Sequence, residues 1–476
     1  MIARAHTTHP MLRHSQRVHF VGIGGTGMCG IAEVLINLGY AVTGSDLAQN
    51  EAVFRLRRLG AKIAMGHRAE NVEGVDVVVY SSAVSGENVE VAEARRRKIP
   101  VIRRAEMLAE LMRMKYSIAV AGAHGKTTTT SLVAAVLAAG GLDPTVVVGG
   151  RINAIGSNAR LGEGEYLVAE ADESDGTFLR LVPTIAVVTN IDEEHLDFYR
   201  DFQAIKQAFL EFLNKIPFYG FSVVCLDHPA VQEIIPGIEK RFFTYGFGSQ
   251  ADYIGEDFHY ESGEAVFSVR RRNERLGELR LRIPGRHNAY NALAAVAVAS
   301  ELDVPFEAVQ RGLHGFDGIG RRLERIGEAA GVAVLDDYGH HPEEIRATLR
   351  AVREAWPDRR LVVLFQPHRY SRTLHLGKAF HTAFYDADLL LVAPIYAAGE
   401  APIPGVSASA IAEGARAHGH KACEEVEGVH EAAGRLAEAV RPGDLVLTLG
   451  AGDVWKAGRE LLERLAPGEK REEEAG

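Results

Sequence analysis

The chain of 476 residues has only three cysteines, Cys29, Cys225 and Cys423, which lie far apart and form no CxxC pair. This spacing supports neither a disulfide framework nor a zinc knuckle, and it is typical of a reducing compartment. The sequence also lacks a run of about 18 uncharged apolar residues, so no membrane span is expected. The first sixteen residues contain no apolar stretch of the signal-peptide type, and we therefore predict a cytoplasmic location.

The sequence also lacks an excess of positive charge, because its 53 Lys and Arg are outnumbered by 63 Asp and Glu, which gives a formal net charge of −10. This balance argues against nucleic acid as the main partner, although it allows a local basic pocket for a phosphorylated small molecule. Glycine is abundant, with 49 residues, and indicates several turns that approach phosphate groups. The sequence leaves the oligomeric state open.

The hydrophobic pattern predicts an α/β protein. Short β-branched runs alternate with Ala/Leu-rich stretches along the whole chain, which indicates βαβ units on parallel sheets. Because the chain is too long for one core, we predict three domains, at residues 1–115, 116–322 and 323–476. Between residues 251 and 283 apolar and polar residues alternate, which predicts an antiparallel β insertion in the middle domain.

The first glycine cluster reads GIGGTG at residues 22–27, after a predicted strand and before a predicted helix. Small residues there let backbone N–H groups and a helix N-terminus approach a diphosphate. Asp46 follows the second predicted strand, where its carboxylate can bond a ribose hydroxyl. The spacing fits NAD and a UDP-sugar equally well. A tight strand–helix turn without a ligand is the alternative interpretation. The predicted substrate-binding residues are Gly22, Gly24, Gly25, Thr26, Gly27 and Asp46.

The second cluster reads AGAHGKTTTT at residues 121–130, again between a predicted strand and a predicted helix. We interpret it as a P-loop, in which Lys126 places a charge at the β- and γ-phosphates of ATP and Thr127 joins a Mg²⁺ shell. The usual pattern has a glycine where this chain has Val120, so we predict a shorter loop beginning at Gly122. The predicted ATP-binding residues of the loop are Gly122, His124, Gly125, Lys126, Thr127 and Thr128.

Acidic and polar side chains follow two later predicted strands, in the runs AEADESD and TNIDEEH. Mg²⁺ prefers carboxylate and water oxygens, so Glu170 is predicted as the principal protein ligand. His195 indicates a second metal position or a residue that orients water, and a surface loop histidine is the plainer interpretation. Asp172 and Asp175 fit a helix cap or a solvated turn equally well. The predicted metal-site residues are Thr127, Glu170 and His195.

Polar pairs in the second half of the chain suggest further nucleotide and carboxylate contacts. Asn288 and Asn291 lie three residues apart on one predicted helix face, where amides can read an adenine edge, although N-capping also explains Asn288. Arg322 lies just before the third domain, where it either reaches phosphate or belongs to a solvated linker. Arg369 and Arg372 follow a predicted strand end, the ligand-binding edge of open α/β sheets, and are predicted to clamp a carboxylate or phosphate.

In order and wording these motifs resemble the Mur ligase family over nearly the whole chain. The runs that carry the resemblance are GIGGTGM, AGAHGKTTTT, EADESD, TNIDEEHLD, GRHNAYNALAA, DDYGHHP, FQPHRYSRT and APIYAAGE. The resemblance implies a Rossmann-like N-terminal domain, a P-loop central ATPase domain and a Rossmann-like C-terminal domain. It also implies that UDP-N-acetylmuramate accepts the γ-phosphoryl of ATP on its carboxylate and that L-alanine attacks the acyl phosphate. The implied cofactors are ATP and two Mg²⁺ ions, with Mn²⁺ as a substitute.

The resemblance also implies roles for individual residues. The N-terminal glycine turn binds the UDP part of the substrate, which removes NAD. The implied catalytic residues are Lys126, Glu170, His195 and Arg322. The implied ATP contacts outside the P-loop are Asn288, Asn291, Arg322 and Asp337. The implied sugar-nucleotide contacts outside the glycine turn are His67 and Ser81, and the implied L-alanine contacts are Tyr338, His340, Arg369 and Arg372.

One departure and two alternatives remain. Several family members carry a carbamylated lysine after the TN-x-x-x-H run, but the nearest lysine here, Lys206, lies about one helical turn too early, so the modification is not predicted. A ligase that recycles the murein tripeptide shares the P-loop and the HNxxN run. An NAD-dependent oxidoreductase would explain the first glycine turn but would leave Lys126 without a role.

Overall fold

The protein forms three β-sheets, of five, ten and six strands, with helices between the strands. The computed structural model describes residues 17–81, 83–152, 157–196 and 198–466. The predicted absence of a leader concerns residues 1–16, which lie outside these ranges. None of the helices in the described ranges has both the length and the hydropathy that a membrane crossing requires.

The chain divides into two compact units. Among the described residues, the first unit comprises the chain up to Phe258, Val266–Leu281 and Asn288–Asp317. The second unit comprises His259–Ala265, Arg282–His287 and the chain from Gly318 onward. The first unit therefore contains the five-stranded sheet and most of the ten-stranded sheet, and the second contains the six-stranded sheet.

The five-stranded sheet is parallel, with the strand order β3-β2-β1-β4-β5. Apolar runs on β1 and β4 are buried on both faces by the flanking helices, as expected for a parallel sheet. This order is that of the doubly wound dinucleotide-binding fold without its sixth strand, and it confirms the predicted Rossmann-like domain. The elements are β1 Arg17–Val21, α1 Thr26–Asn37, β2 Ala41–Asp46, α2 Glu51–Arg58, β3 Lys62–Met65, β4 Val77–Tyr80, α3 Val89–Arg96, β5 Val101–Arg103 and α4 Arg104–Met112.

The ten-stranded sheet has the order β15-β14-β13-β12-β11-β10-β6-β9-β7-β8. Strands β10, β6 and β9 are parallel neighbours, so their carboxyl ends meet at one edge. The three strands between Tyr253 and Leu281 follow one another with two-residue connections, and they confirm the predicted β insertion. The elements are β6 Tyr116–Ala121, α5 Lys126–Ala139, β7 Thr145–Ile152, β8 Ser157–Arg160, β9 Tyr166–Glu170, β10 Ile185–Val188, α6 Phe202–Asn214, β11 Phe221–Cys225, α7 Pro229–Ile234, β12 Phe242–Gly246, β13 Tyr253–Glu261, β14 Glu264–Arg271, β15 Glu274–Leu281, α8 Arg286–Glu301 and α9 Phe306–His314.

The six-stranded sheet has the order β16-β17-β21-β18-β19-β20, and its first strand is an antiparallel edge on parallel neighbours. Helices cover both faces around two apolar clusters. The carboxyl ends of β17 and β18 lie on either side of β21, at the edge where ligands are expected. The elements are β16 Glu324–Ala329, β17 Val332–Asp337, α10 Pro342–Ala355, β18 Leu361–Phe365, α11 Tyr370–Phe380, β19 Leu389–Val392, α12 Ala408–Ala417, β20 Cys423–Glu425, α13 Val429–Ala439, β21 Leu445–Leu449 and α14 Trp455–Leu465.

Helix α1 packs on the ten-stranded sheet within the first unit. A Cβ on Gly30 would lie 3.4 Å from Ala159 Cβ, so the helix backbone rests directly on β8. Glu33 accepts hydrogen bonds from Ser157 Oγ at 2.7 Å and from Arg55 Nε at 3.1 Å. Because α1 begins at the first glycine turn, this contact fixes that turn relative to the middle sheet.

Candidate active site

The P-loop follows strand β6 and ends where α5 begins at Lys126. Its glycines have backbone angles that favour glycine, with φ of +140° at Gly122 and +80° at Gly125. A Cβ on Gly122 would collide with Thr189 Oγ1, and a Cβ on Gly125 would lie 2.6 Å from Asn291 Oδ1. The loop therefore closes tightly against the segment after β10 and against α8.

His124, in the middle of the loop, is held by the segment that follows β10. Its backbone N–H donates to Asn190 Oδ1 at 2.7 Å, and its carbonyl accepts from Thr189 Oγ1 at 2.6 Å. Its ring Nε2 lies 3.3 Å from Asp192 Oδ2. Hydrogen bonds from His124 and then His228 lower the pKa of Asp192. Three polar residues of the TNIDEEH run thus position the P-loop.

Lys126 lies in a cage of oxygens at the start of α5. Its ammonium donates to two loop carbonyls, at 2.6 and 3.1 Å, and to Glu173 Oε1 at 2.8 Å. Burial disfavours the ammonium charge, but the surrounding carboxylates outweigh burial and raise the pKa of Lys126. These carboxylates are Glu173, Asp172 and Glu170. Lys126 therefore stays protonated and available to a phosphate.

Glu170 ends strand β9, beside the P-loop. Its carboxylate accepts hydrogen bonds from the Thr127 hydroxyl and the Gly149 backbone N–H, and burial raises its pKa. A Cβ on Gly149 would lie 2.7 Å from Glu170 Oε2, so glycine is needed for this approach. In the described part of the chain, the buried Oε1 of Glu170 finds no hydrogen-bond partner. An enclosed carboxylate oxygen of this kind fits a hard cation.

Glu173 is the residue at this site that sequence reasoning missed. Its side chain is 3% exposed, and its Oε1 lies 2.8 Å from Lys126 Nζ and 3.9 Å from His195 Nε2. Burial raises the pKa of Glu173. Its Oε2 has no hydrogen-bond partner among the described residues. The sequence shows several acids close together in AEADESD, but their spacing alone did not single out Glu173.

The other two acids of that run have local partners. Asp172 lies 3.6 Å from Arg104 Nη2 and accepts a hydrogen bond from Ser174 N at 3.1 Å. Although burial opposes it, hydrogen bonding from Ser174 lowers the pKa of Asp172. Asp175 accepts from Thr177 N at 3.0 Å, in a short 3-10 helix. Asp175 therefore stabilises a turn.

His195 lies beside Glu173 and at 3.9 Å from Glu194 Oε2. Within the described ranges no three His, Cys, Asp or Glu side chains form a ready-made metal cage. Mg²⁺ takes most of its ligands from water and phosphate, so one or two protein ligands suffice. Lys206, the nearest lysine after the TNIDEEH run, forms an ion pair with Glu233 at 2.5 Å.

Asn288 and Asn291 are both buried on α8. Asn291 Nδ2 donates to Asn288 Oδ1 at 3.2 Å, and Asn291 Oδ1 accepts from Thr129 Oγ1 at 3.1 Å. Thr128 is buried inside α5. The asparagine pair thus lies directly against the P-loop helix, the place from which amides can reach a bound nucleotide.

The first glycine turn is built without a charged side chain of its own. Gly24 N donates to Asp46 Oδ2 at 2.8 Å, and Gly24 O accepts from Asn50 Nδ2 at 3.0 Å. Helix α1 begins at Thr26 after Gly25, with no side-chain cap and no acid in its first turn. A Cβ on Gly27 would lie 3.0 Å from Arg104 Cδ. Arg104, which the sequence did not single out, is thus the cation beside the turn.

The two further predicted sugar-nucleotide residues lie in the same sheet. Ser81 Oγ is 4.0 Å from the position of a Cβ on Gly22, so it borders the turn. His67 Nδ1 lies 2.9 Å from Ser45 Oγ and 3.5 Å from Glu90 Oε2. Glu90 is fully buried, and although burial opposes it, hydrogen bonds from its neighbours lower its pKa to about 2. A buried carboxylate therefore positions His67.

Arg322 and Asp337 belong to the second unit. Asp337 accepts hydrogen bonds from Leu323 N and Gly339 N, each at 2.8 Å. Burial raises the pKa of Asp337 to about 6, while the charge of Arg322 opposes this rise. The Arg322 guanidinium lies 5.5 Å from the ring centre of Tyr338. The structure thus brings these three predicted residues together.

His340 and His368 line the same edge. His340 packs edge-on against the Tyr338 ring, with centroids 5.5 Å apart, and lies 6.0 Å from His368. His368 stacks on Tyr396 with an interplanar angle of 8°. His368, which has no predicted role, and its stacking partner complete an aromatic wall.

The two predicted carboxylate-binding arginines lie at the start of α11. Arg372 Nη1 donates to His368 Nδ1 at 3.2 Å, which requires that nitrogen to be unprotonated. Burial and the nearby cations lower the pKa of His368 to about 4. Arg369 is exposed, with φ of +71°, and its backbone N–H donates to Tyr396 O at 2.9 Å. The structure thus places two arginines beside the aromatic wall.

Comparison with known proteins matches all three parts of the chain to one family. The matching family models are "Mur ligase family, catalytic domain" at residues 17–116, "Mur ligase middle domain" at 120–299 and "Mur ligase, glutamate ligase domain" at 321–452. The UDP-N-acetylmuramate–L-alanine ligase of Syntrophobacter fumaroxidans is 58% identical over 456 residues, which cover 96% of this chain and 97% of that protein.

Two solved structures are similar over most of the chain. The UDP-N-acetylmuramate-alanine ligase of Thermotoga maritima has a TM-score of 0.81 and 30% identity, covering 94% of this chain and 98% of that one. A murein peptide ligase of Psychrobacter arcticus has a TM-score of 0.68 and 24% identity over the same share of each chain, which shows the fold alone. The resemblance that the motifs indicated is confirmed, and the chain belongs to the Mur ligase family of ligases.

Proposed function

We propose that this protein joins L-alanine to UDP-N-acetylmuramate with cleavage of ATP to ADP and phosphate, in the synthesis of peptidoglycan precursors. The observation that carries the proposal is the pair of glycine turns at strand-to-helix junctions in one unit, of which the second contains a lysine among carboxylates. The 58% identity with a relative named for this reaction supports it.

The reaction needs two displacements. A carboxylate oxygen of UDP-N-acetylmuramate attacks the γ-phosphorus of ATP, and the bond from that phosphorus to the ADP oxygen breaks. The deprotonated amine of L-alanine then attacks the acyl carbon, a C–N bond forms, and phosphate leaves with its bonding electrons. Both steps depend mainly on positioning and charge neutralisation, which a rigid polar site supplies.

The first glycine turn holds the diphosphate of the sugar nucleotide through backbone N–H groups at the start of α1. Asp46 accepts a ribose hydroxyl, and His67 and Ser81 contact the same substrate. This binding is equal in the ground state and the transition state, so it serves affinity and placement of the distant carboxylate.

The P-loop holds ATP, with Asn288 and Asn291 at its adenine. Lys126 turns from Glu173 to the β- and γ-phosphates, where its charge stabilises the transferring group. Arg322 and Asp337 are further contacts to the nucleotide in this proposal.

The residues present fit Mg²⁺, because the enclosed Oε1 of Glu170 has no hydrogen-bond partner in the described part of the chain and the Thr127 hydroxyl lies against the same carboxylate. Glu170 and Thr127 would hold one ion and His195 a second, with Mn²⁺ as a substitute. When bound, the ions neutralise the phosphate oxygens.

The C-terminal region, residues 323–476, binds L-alanine. Arg369 and Arg372 hold the amino-acid carboxylate, since guanidinium groups match carboxylate geometry. Tyr338 and His340 form the wall around the side-chain methyl group. Residues 1–115 and 116–322 then serve the sugar nucleotide and ATP. These substrates, together with three buried free cysteines, fit a cytoplasmic enzyme.

The decisive experiment measures phosphate release from ATP with Mg²⁺ and UDP-N-acetylmuramate, adding L-alanine, glycine, L-serine or the murein tripeptide in parallel. We expect release with L-alanine to exceed release with the tripeptide by a wide margin. Release with the tripeptide alone would transfer the proposal to the recycling ligase, and NADH binding without any phosphate release would favour the oxidoreductase.

A further inference from the structure

The phosphoryl-transfer site carries more buried negative charge than its described cations balance. Glu170, Asp172 and Glu173 all face Lys126, and Arg104 lies near only Asp172. Burying an unpaired carboxylate costs several kcal/mol, so an excess of this kind calls for additional positive charge. The surplus lies on the two glutamates.

Each glutamate has one buried carboxylate oxygen without a hydrogen-bond partner among the described residues, Oε1 in Glu170 and Oε2 in Glu173. The two carboxylates have different neighbours. Glu170 contacts Thr127 and Gly149, on the β9 side of the loop. Glu173 contacts Lys126 and His195. The unused oxygens therefore mark two separate positions.

The ion pair with Lys126 satisfies only one of the two carboxylate oxygens of Glu173. That ion pair uses Oε1, and it weakens when a phosphate attracts the ammonium of Lys126. The residue is also fixed in place, because Tyr199 Oη donates to the Glu173 carbonyl at 2.6 Å. A 3% exposed carboxylate beside a histidine then needs another cation.

We propose that Glu173 is the carboxylate ligand of the second divalent cation at this site, on the same ion as His195, while Glu170 and Thr127 serve the first. The inference rests on the proposed function, because it places both ions at the phosphates of ATP. It adds Glu173 to a second metal position for which the motif pattern indicated only His195.

The test counts bound Mn²⁺ by electron paramagnetic resonance in the presence of β,γ-methylene-ATP, without amino acid or turnover. We expect two ions per chain for the wild type. Glu173→Gln should weaken one of the two by a factor of about 10 to 100, the usual effect of disturbing a metal ligand set. Glu170→Gln should weaken the other one. Asp175→Asn, a change of the same kind on a turn-forming acid, should retain both.

Fewer than two ions in the wild type, or two ions of unchanged affinity in Glu173→Gln, would overturn the proposal. The second outcome would mean that Glu173 only holds Lys126. Retained binding of UDP-N-acetylmuramate shows that a variant is folded, and Glu173→Asp, which should keep a weakened second ion, replaces the glutamine variant if that one does not fold. Because no alanine is present, failure of the proposed ligation would appear separately, as absent phosphate release by the wild type.

Discussion

The glycine turn at residues 22–27 and the P-loop at residues 122–125 both join a parallel strand to a helix, yet their surroundings differ in charge. The first turn contacts Asp46 and Asn50 through its backbone and leaves the start of α1 without a side-chain cap. The second presents Lys126 among three carboxylates. The same strand–turn–helix structure therefore has mainly backbone contacts in the first turn and a lysine among carboxylates in the second.

Under the proposed function, this difference separates the diphosphate that is only bound from the phosphate that is transferred. Backbone N–H groups at a helix start bind a diphosphate equally well before and during a reaction, so they serve affinity. An ammonium among carboxylates can stabilise charge that shifts between phosphate oxygens, so the proposal assigns it to transfer. Changes in the first turn should alter KM for the sugar nucleotide, and changes in the second should alter kcat.

The largest expected effect comes from Lys126→Met, which removes the charge but keeps the side-chain length. We expect kcat for phosphate release to fall on the order of 10³-fold, because a positioned donor to the transferring group is lost. Steady-state phosphate release with saturating substrates measures it. Lys126→Arg is the control for charge alone and should remain impaired, because the planar guanidinium does not fit between the two loop carbonyls. A Lys126→Met enzyme within tenfold of the wild type would contradict the account.

A smaller effect is expected from Gly24→Ala in the first turn. The new Cβ would lie 2.9 Å from Asn50 Nδ2 and from Val53 Cγ2. Overpacking costs about 1–3 kcal/mol, which corresponds to a factor of about 5 to 150 in the KM for UDP-N-acetylmuramate if the whole cost falls on binding. KM for ATP should not change. Gly377→Ala, where a Cβ meets open space, is the matched control. A parallel rise in both KM values would show that the turns are not independent.

The smallest effect on catalysis is expected from Glu90→Gln, which acts through His67. The KM for UDP-N-acetylmuramate should rise severalfold, and stability should change with pH. The pKa of Glu90 is lowered from 4.5 to about 2, so its stabilisation is present above the unfolded-state pKa and is lost as pH falls towards 2. The shift corresponds to about 3 kcal/mol at neutral pH as an upper value.

Urea unfolding at pH 7 and at pH 3 measures this change, since the glutamine variant should lose the part of the pH dependence that Glu90 contributes between those values. Glu93→Gln on the same helix is the control. Its carboxylate pairs with Arg96 and Arg97 at the surface and should matter little. Equal effects of the two substitutions would contradict the positioning role of Glu90.

Much of the fold was predictable from the sequence because hydrophobic period and turn chemistry act locally. The two glycine turns, the β insertion and the alternation of strands and helices all follow from neighbouring residues. Within the candidate site, the P-loop lysine and Glu170 were predictable because the end of a buried strand fixes the position of the residues next to it. The sequence did not predict which acid of AEADESD turns inward, because side-chain direction after a strand depends on distant partners such as Lys126 and His195.

Other features depend on contacts far apart in sequence. Arg104 borders the first glycine turn only because α4 returns to it from the end of the five-stranded sheet. The hold of Asn190 and Asp192 on His124 arises from strand order, since β10 and β6 are neighbours. A pattern of residue types shows that such groups exist but does not show which of them meet.

The most direct test of the division between binding and transfer is titration calorimetry of UDP-N-acetylmuramate with Lys126→Met. The account predicts a dissociation constant within about twofold of the wild type, as expected for distant sites that act independently. Loss of sugar-nucleotide binding together with phosphate release would contradict it, and would mean that the two glycine turns work as one site.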